Sequence, residues 1–271
     1  MLKKYLEAAR KQKWAIGQFN FSNLETLRAI IQAAEKLKSP VIIGTSEGES
    51  RFLGLKQAVA LIGSFKKRNR LSIFLNLDHG KNLKYIKEAI DTGYDSVNFD
   101  GSELSLEQNI KKTKIVVEYA KKFGVLVEGA VGVIGGDLTD LAQALRFVKE
   151  TKVDSLALAV GSIHGIEKSG TGPRLNLKRL KEIKEKLGNT PLVLHGGSGI
   201  RKEDIKEGIK LGIVKININT RLRITYTDTL KKIIKNKPKE KTPYKYMSKV
   251  IEAVQKVVEE KIKLFGSVAK I

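Results

Sequence analysis

Eight apolar runs of β-like composition recur along the 271-residue chain, with helical patterns filling the intervals. They are WAIGQFN (14–20), PVIIGTS (40–46), SIFLNLDHG (72–80), SVNFDGS (96–102), VLVEGAVG (125–132), SLALAVGSIHG (155–165), PLVLHGGSG (191–199) and VKININT (214–220). Near-continuous apolar strands, rather than alternating ones, belong to a parallel sheet buried on both faces. Between them the spacing of apolar residues is helical: Leu27, Ile30, Ile31 and Ala34 in 24–38, and Ile110, Ile115, Val116 and Tyr119 in 105–122. Asn82 and Ser105 stand at N-cap positions and Gly124 at a C-cap position. Eight strand–helix units in about 250 residues predict an α/β chain of (β/α)8 TIM-barrel architecture. The polar connection KNKPKEKTP (235–243) leads into an additional C-terminal helix. A doubly wound sheet of six or seven strands is the rival. No Gly/Ser/Pro-rich linker divides the chain, so residues 1–271 are expected to form a single domain.

Composition narrows the chemistry. There is no cysteine, which excludes disulfides and thiolate metal sites and leaves His, Asp and Glu as metal ligands. Lys and Arg outnumber Asp and Glu by 51 to 29, a net charge of +22 that suits nucleic acid, anionic lipid or a phosphorylated small molecule. The lysines are spread over nearly every helix and do not interleave with aromatics, so most of the charge reads as a solvated exterior, which argues against nucleic acid. The opening MLKKYLEAARKQKW is a charged amphipathic pattern without the apolar core of a signal peptide. No run approaches the roughly 20 apolar residues of a membrane span. A cytoplasmic protein with no membrane partner is expected.

The three histidines share one setting. His79, His164 and His195 each follow an apolar run and precede a glycine, at the ends of strands three, six and seven. Active sites of this fold gather at those C-terminal strand ends. A lone histidine there is usually a hydrogen-bonded loop residue, but three at equivalent ends match a catalytic zinc site with one open position. Asp78 precedes His79; strand alternation points the two apart, and a turn at the strand end would bring both inward. There it suits proton transfer, or else orients a histidine. HGGSGI and NINT (Asn217 to Thr220) end strands seven and eight, where this fold often binds phosphate. Asp100 and Glu128 lie at strands four and five as groups beside a metal, as alternate ligands, or as structural partners of Lys or Arg.

Together GQFNFSNLET, SPVIIGTSEG, LDHG, SVNFDGSELSLEQNI, VEGAVG, DSLALAVGSIHG, PLVLHGGSGI, KININT and KLFGSVAKI resemble the class II, zinc-dependent fructose-bisphosphate aldolases and their tagatose-bisphosphate relatives over nearly the whole chain. The resemblance implies one Zn2+ per subunit on His79, His164 and His195, with Asp78 handling the proton of the hydroxyl beside the cleaved bond. It places the phosphate of dihydroxyacetone phosphate on Gly165, Gly196, Gly197, Ser198, Asn217, Ile218, Asn219 and Thr220. Ser46 would meet the second phosphate, and the Asn217 amide would help hold a metal-stabilised enediolate. The implied reaction is reversible cleavage of fructose 1,6-bisphosphate to dihydroxyacetone phosphate and glyceraldehyde 3-phosphate, in a homodimer or homotetramer. Tagatose 1,6-bisphosphate or another ketose phosphate is the alternative substrate, and a non-catalytic metal- and sugar-phosphate-binding barrel the alternative role. Three positions depart from the family pattern. Ala130 replaces the second Glu of Glu-x-Glu, a ligand of the family's second metal position. GGDLTDLAQAL passes almost at once into a helix, leaving Asp137 as the nearest carboxylate for the loop's acid–base role. Thr242, Pro243, Tyr244 and Lys245 stand where the family has Asp-Pro-Arg, so a lysine point charge replaces an arginine fork.

Overall fold

A computed structural model of the chain describes residues 1–69, 71–163, 165 and 173–271. Eight parallel strands close into a barrel in chain order: β1 (Ile16–Asn20), β2 (Val41–Ser46), β3 (Ile73–Gly80), β4 (Ser96–Phe99), β5 (Leu126–Val131), β6 (Ser155–Leu158), β7 (Leu192–Leu194) and β8 (Ile213–Ile218). Closure is direct: Ile16 pairs with Lys215 and Phe19 with Ile218, which rules out the open doubly wound sheet. Strands β4, β6 and β7 end earlier than their apolar runs do. The residues left over, among them Asp100 and His195, lie past the strand ends at the barrel mouth.

The helices follow from caps visible in the sequence. The pattern over 24–38 forms α2 (Leu24–Leu37), capped by the Asn23 side chain on the Thr26 N–H. Asn82 and Ser105 cap α5 (Leu83–Thr92) and α6 (Leu106–Lys121), accepting from the N–H groups of Tyr85 and Gln108. Gly124 is not the residue that caps α6. Lys122 does so in helical conformation, and Gly124 takes the left-handed turn two residues later at φ 67°. The β2–β3 crossover holds two helices, α3 (Glu47–Leu53) and α4 (Leu55–Asn69). Asp140 caps α7 (Leu141–Thr151), so the loop after β5 is as short as its sequence indicates. Helices α8 (Leu177–Leu187) and α9 (Lys202–Lys210) follow β6 and β7. After β8 the chain forms α10 (Thr220–Asn236) and the expected C-terminal helix α11 (Pro243–Leu264). Helix α11 lies beside α2, where Lys36 Nζ meets Glu259 Oε2 at 2.9 Å.

The N-terminal helix α1 (Leu2–Gln12) plugs one end of the barrel. Leu2, Leu6 and Ala9 pack with Trp14 onto Ile16, Ile42, Phe74 and Val214, the inward residues at the strand starts. Above this apolar layer the interior turns polar: Asn76 Nδ2 donates to Gln18 Oε1 at 2.9 Å, and Ser96 Oγ donates to Asn76 Oδ1 at 2.7 Å. Gly44 makes room for this layer, since a Cβ there would lie 2.3 Å from Asn20 Oδ1. Among the described residues no helix is long and apolar enough to cross a membrane.

Candidate active site

The end of β3 brings two neighbouring site residues to one side. The β3–β4 pairing runs Asn76↔Ser96 and Leu77↔Val97, then jumps to Gly80↔Phe99, so β3 carries one extra residue. This bulge is taken up at His79, whose φ of 51° lies in the left-handed region. Its N–H is held by Asn98 Oδ1 at 3.1 Å. The kink cancels strand alternation, and both Asp78 and His79 line the same cleft at the barrel mouth.

Two imidazoles meet there edge to face. His79 Nε2 lies 3.0 Å from His195 Nδ1, with ring centroids 4.6 Å apart. The far nitrogen of each ring is held by a carboxylate: His79 Nδ1 by Asp100 Oδ2 at 2.6 Å, and His195 Nε2 by Glu128 Oε1 at 2.7 Å. Asp100 is itself fixed by the Ser102 hydroxyl at 2.6 Å. Lys215 Nζ reaches Glu128 Oε2 at 2.7 Å, with both side chains 4% exposed. Glu128 thus fills both roles left open by its sequence position, as an orienter of a histidine and as the partner of a buried lysine. Asp78 receives Asn20 Nδ2 on Oδ2 and Asn217 Nδ2 on Oδ1, each at 3.0 Å.

The electrostatics are those of a cation site. Burial alone would raise Asp78, but the imidazoles of His79 and His195, Lys215 and the Asn20 amide overcome it and hold the carboxyl at about 2. Burial would lower His79; Asp78, Asp100 and Glu128 overcome that and raise it to about 9. Asp100 and Glu128 are likewise held below the ordinary carboxylate range against the effect of burial, Asp100 chiefly by its hydrogen bonds to His79 and Ser102, Glu128 chiefly by the charge of Lys215. Ionised carboxylates therefore surround two nitrogens that face each other.

Asp78, His79 and His195 each offer one ligand atom, all within 4.8 Å of one another. Nitrogens sharing one tetrahedral ion at about 2.0–2.1 Å sit roughly 3.3 Å apart. The observed 3.0 Å is within a few tenths of that. The carboxylate on the far side of each ring is the usual device for fixing a ligating histidine. The donor set suits a divalent cation. His164, the third expected ligand, lies outside the described residues.

A cleft of about 490 Å³ extends from this centre towards α10. Its walls include Ser46, Gly165, Gly196, Ser198, Asn219 and Thr220, six of the residues expected to hold substrate, and Asn217 stands between them and the imidazoles. Gly196 is at φ 71°, and a Cβ there would strike the Ile163 carbonyl at 2.3 Å, so only glycine fits the turn. The Ser198 hydroxyl accepts the Arg221 N–H at 3.3 Å, tying the β7 and β8 loops together. Asn217 Oδ1 is buried without a hydrogen-bond partner among the described residues. Two expected residues stand behind the wall. Ile218 has a fully buried core side chain, and the Gly197 N–H is bonded to the Asn217 carbonyl at 3.1 Å. A second cleft of about 390 Å³, lined by Asp100, Glu103, Lys81 and Ala130, opens on the other side of His79 and His195. Asp137 is exposed on the β5–α7 loop and lines neither cleft. Lys245 lies 3.8 Å from Glu240, away from both. A larger cavity, about 640 Å³, opens at the start of β5 among Lys114, Glu150 and Asp154; among the described residues it holds no imidazole and no converging set of ligand atoms.

Several residues of this site were not singled out by sequence reasoning. Asn20 and Lys215 are polar interruptions of apolar strands, a signal that was legible. Glu49 stands at the fourth place of Ser46-Glu-Gly-Glu49, the S-x-x-E spacing of a capping box, which the structure forms.

The fold and the site together define a parallel eight-stranded barrel with a candidate cation centre at its mouth, and comparison with known proteins supplies the class. The family model described as "Fructose-bisphosphate aldolase class-II" matches residues 1–270. A 6-phospho-5-dehydro-2-deoxy-D-gluconate aldolase of Bacillus subtilis is 39% identical over 99% of this chain and 96% of its own. A fructose-bisphosphate aldolase of Geobacillus stearothermophilus is 38% identical over 99% and 97%. The crystal structure of the YdjI aldolase from Escherichia coli K12 superposes with a TM-score of 0.89 at 34% identity, covering 100% of this chain and 98% of that one. The chain belongs to the class II fructose-bisphosphate aldolase family, whose members are metal-dependent carbon–carbon lyases.

Proposed function

We propose that the protein is a zinc-dependent aldolase that reversibly cleaves a ketose phosphate into dihydroxyacetone phosphate and an aldehyde, with fructose 1,6-bisphosphate as the reference substrate and tagatose 1,6-bisphosphate as its stereochemical alternative. The observation that carries this reading is the convergence of Asp78, His79 and His195 at the end of a glycine-rich cleft. His79 and His195, with His164, would hold the ion, which when bound polarises the ketone carbonyl. Asp78, kept ionised chiefly by the charges of His79, His195 and Lys215 and oriented by Asn20 and Asn217, would take the proton of the substrate hydroxyl on a carboxylate oxygen. The Asn217 amide, which bonds Asp78 at 3.0 Å, would help hold the negative charge that develops when the bond breaks. Gly165, Gly196, Ser198, Asn219 and Thr220 surround the cleft end that would take the dihydroxyacetone phosphate group, at the N-terminus of α10. The loop acid–base role proposed for Asp137 requires that residue to approach from an exposed position.

Association into a homodimer or homotetramer is implied by the family resemblance, and light scattering would measure it. The cellular setting proposed is the cytoplasm, and the sugar phosphate is the proposed small-molecule partner. The reading is tested by coupled release of dihydroxyacetone phosphate from the two bisphosphates. Activity should disappear with EDTA and return with zinc; turnover that survives both EDTA and His164→Ala would overturn it.

A further inference from the structure

The cleft is built unequally around its charges. At one end Gly196, Ser198, Thr220 and the N-terminus of α10 offer donors for a phosphate. At the Ser46 end the donors are already engaged by a carboxylate. Glu49 Oε2 takes the Ser46 N–H at 2.8 Å, and the Ser46 hydroxyl oxygen accepts the Glu49 N–H at 3.2 Å. One hydroxyl hydrogen is all Ser46 has left to offer. The same Glu49 Oε2 accepts Asn20 Nδ2 at 3.0 Å, and that amide also bonds Asp78, so two carboxylates flank one side-chain amide. Glu49 Oε1 accepts Asn219 Nδ2 at 3.0 Å. The carboxylate thereby clamps the ends of β8, β1 and β2 and stands just behind the wall, 13% exposed.

Among the described residues one cation faces it, the largely exposed Arg223, too far away for a hydrogen bond. Among the described residues, and apart from the imidazoles, the cations lining the two clefts are Arg223 and Lys81. Arg223 Nη2 lies 3.9 Å from Glu49 Oε1, and Lys81 Nζ is 2.8 Å from Glu103 Oε2. Lys245, at the position of the family's distal arginine, pairs with Glu240 instead. A dianionic group at Ser46 would meet fixed negative charge in a partly desolvated site, where like charges are costly.

We propose that Glu49 is a specificity-determining residue that makes the Ser46 end of the cleft reject anions, so that the preferred substrates are ketose 1-phosphates whose far end is uncharged. This rests on the aldol cleavage proposed above. It is tested by kcat/KM for dihydroxyacetone phosphate release from fructose 1-phosphate and from fructose 1,6-bisphosphate. The wild type should favour the monophosphate by about tenfold or more, the scale expected for like-charge exclusion. Glu49→Gln keeps an acceptor for Ser46 and Asn20, and it should shrink that preference at least several-fold, through the KM of the bisphosphate. Calorimetric binding of the two sugars to the metal-free protein should show the same order. A wild type that favours the bisphosphate, or a folded Glu49→Gln protein with an unchanged ratio, overturns the inference. The wild-type ratio decides alone if the variant does not fold. Release from neither sugar by the zinc-loaded wild type would overturn the aldol reading, and the inference with it.

Discussion

The two mouths of the barrel are built from the same eight strands and have opposite chemistry. At the strand starts, Ile16, Ile42, Phe74 and Val214 meet Leu2, Leu6 and Trp14 of the N-terminal segment, and the end is sealed. At the strand finishes, Asn20, Asp78, Glu128, His195 and Asn217 replace aliphatics, and the end stays open over a cleft. Burying an apolar side chain contributes about 1.5–3 kcal/mol, whereas a buried charge costs stability unless it is paired. One end therefore stabilises the fold, and the other carries groups tolerated only because each is tied to another: Lys215 to Glu128, Glu128 to His195, Asp100 to His79.

Substitutions at the two ends should separate these roles. Asp78→Ala should lower kcat by about 10³-fold or more while leaving bound zinc near one per subunit, since it removes the proposed proton acceptor and spares the imidazoles. Unchanged turnover in steady-state assays would end that assignment. At the sealed mouth, Trp14→Ala should cost about 3–5 kcal/mol in denaturant unfolding and leave kcat/KM of the folded protein within about twofold. A large loss of activity with little loss of stability would break the comparison. Lys215→Met joins the two behaviours: Glu128 is left buried with its imidazole partner alone, so zinc affinity should fall by about 10- to 100-fold. Competition with a chromophoric chelator measures this, and unaltered affinity would show that Lys215 acts on stability alone. The smallest effect is expected at Asp137→Asn, about threefold or less in kcat, because the residue is exposed and lines neither cleft. A loss of 10²-fold would mean that the loop closes on the substrate and would support the acid–base role proposed for Asp137.

The barrel was legible because its evidence is local. Each of the eight runs is apolar for long enough to be a strand, and Asn82, Ser105 and the α2 period mark helices without reference to anything distant. The histidines were legible for the same reason, each closing a run. The bulge at His79 was not, since it depends on how β3 registers against β4. Nor were the partners of the site groups: Glu49 with Asn219 and Lys215 with Glu128 are separated by 170 and 87 residues, and only closure of the barrel brings them together. The C-cap expected at Gly124 lies two residues earlier because Lys122 keeps the helical conformation and the left-handed turn follows it only at Gly124.

The central claim is that imidazoles from distant strands share one cation, and zinc titration of the metal-free protein by calorimetry tests it most directly. His79 is raised to about 9, so it carries a proton at pH 7.5, whereas a ligating imidazole is neutral. The wild type should therefore bind one zinc per subunit and release a proton, seen as a heat that varies with the ionisation enthalpy of the buffer. Replacing either His79 or His195 by Ala should weaken binding by at least 10²-fold. Zinc binding of wild-type strength in both variants would contradict a shared ion at this centre.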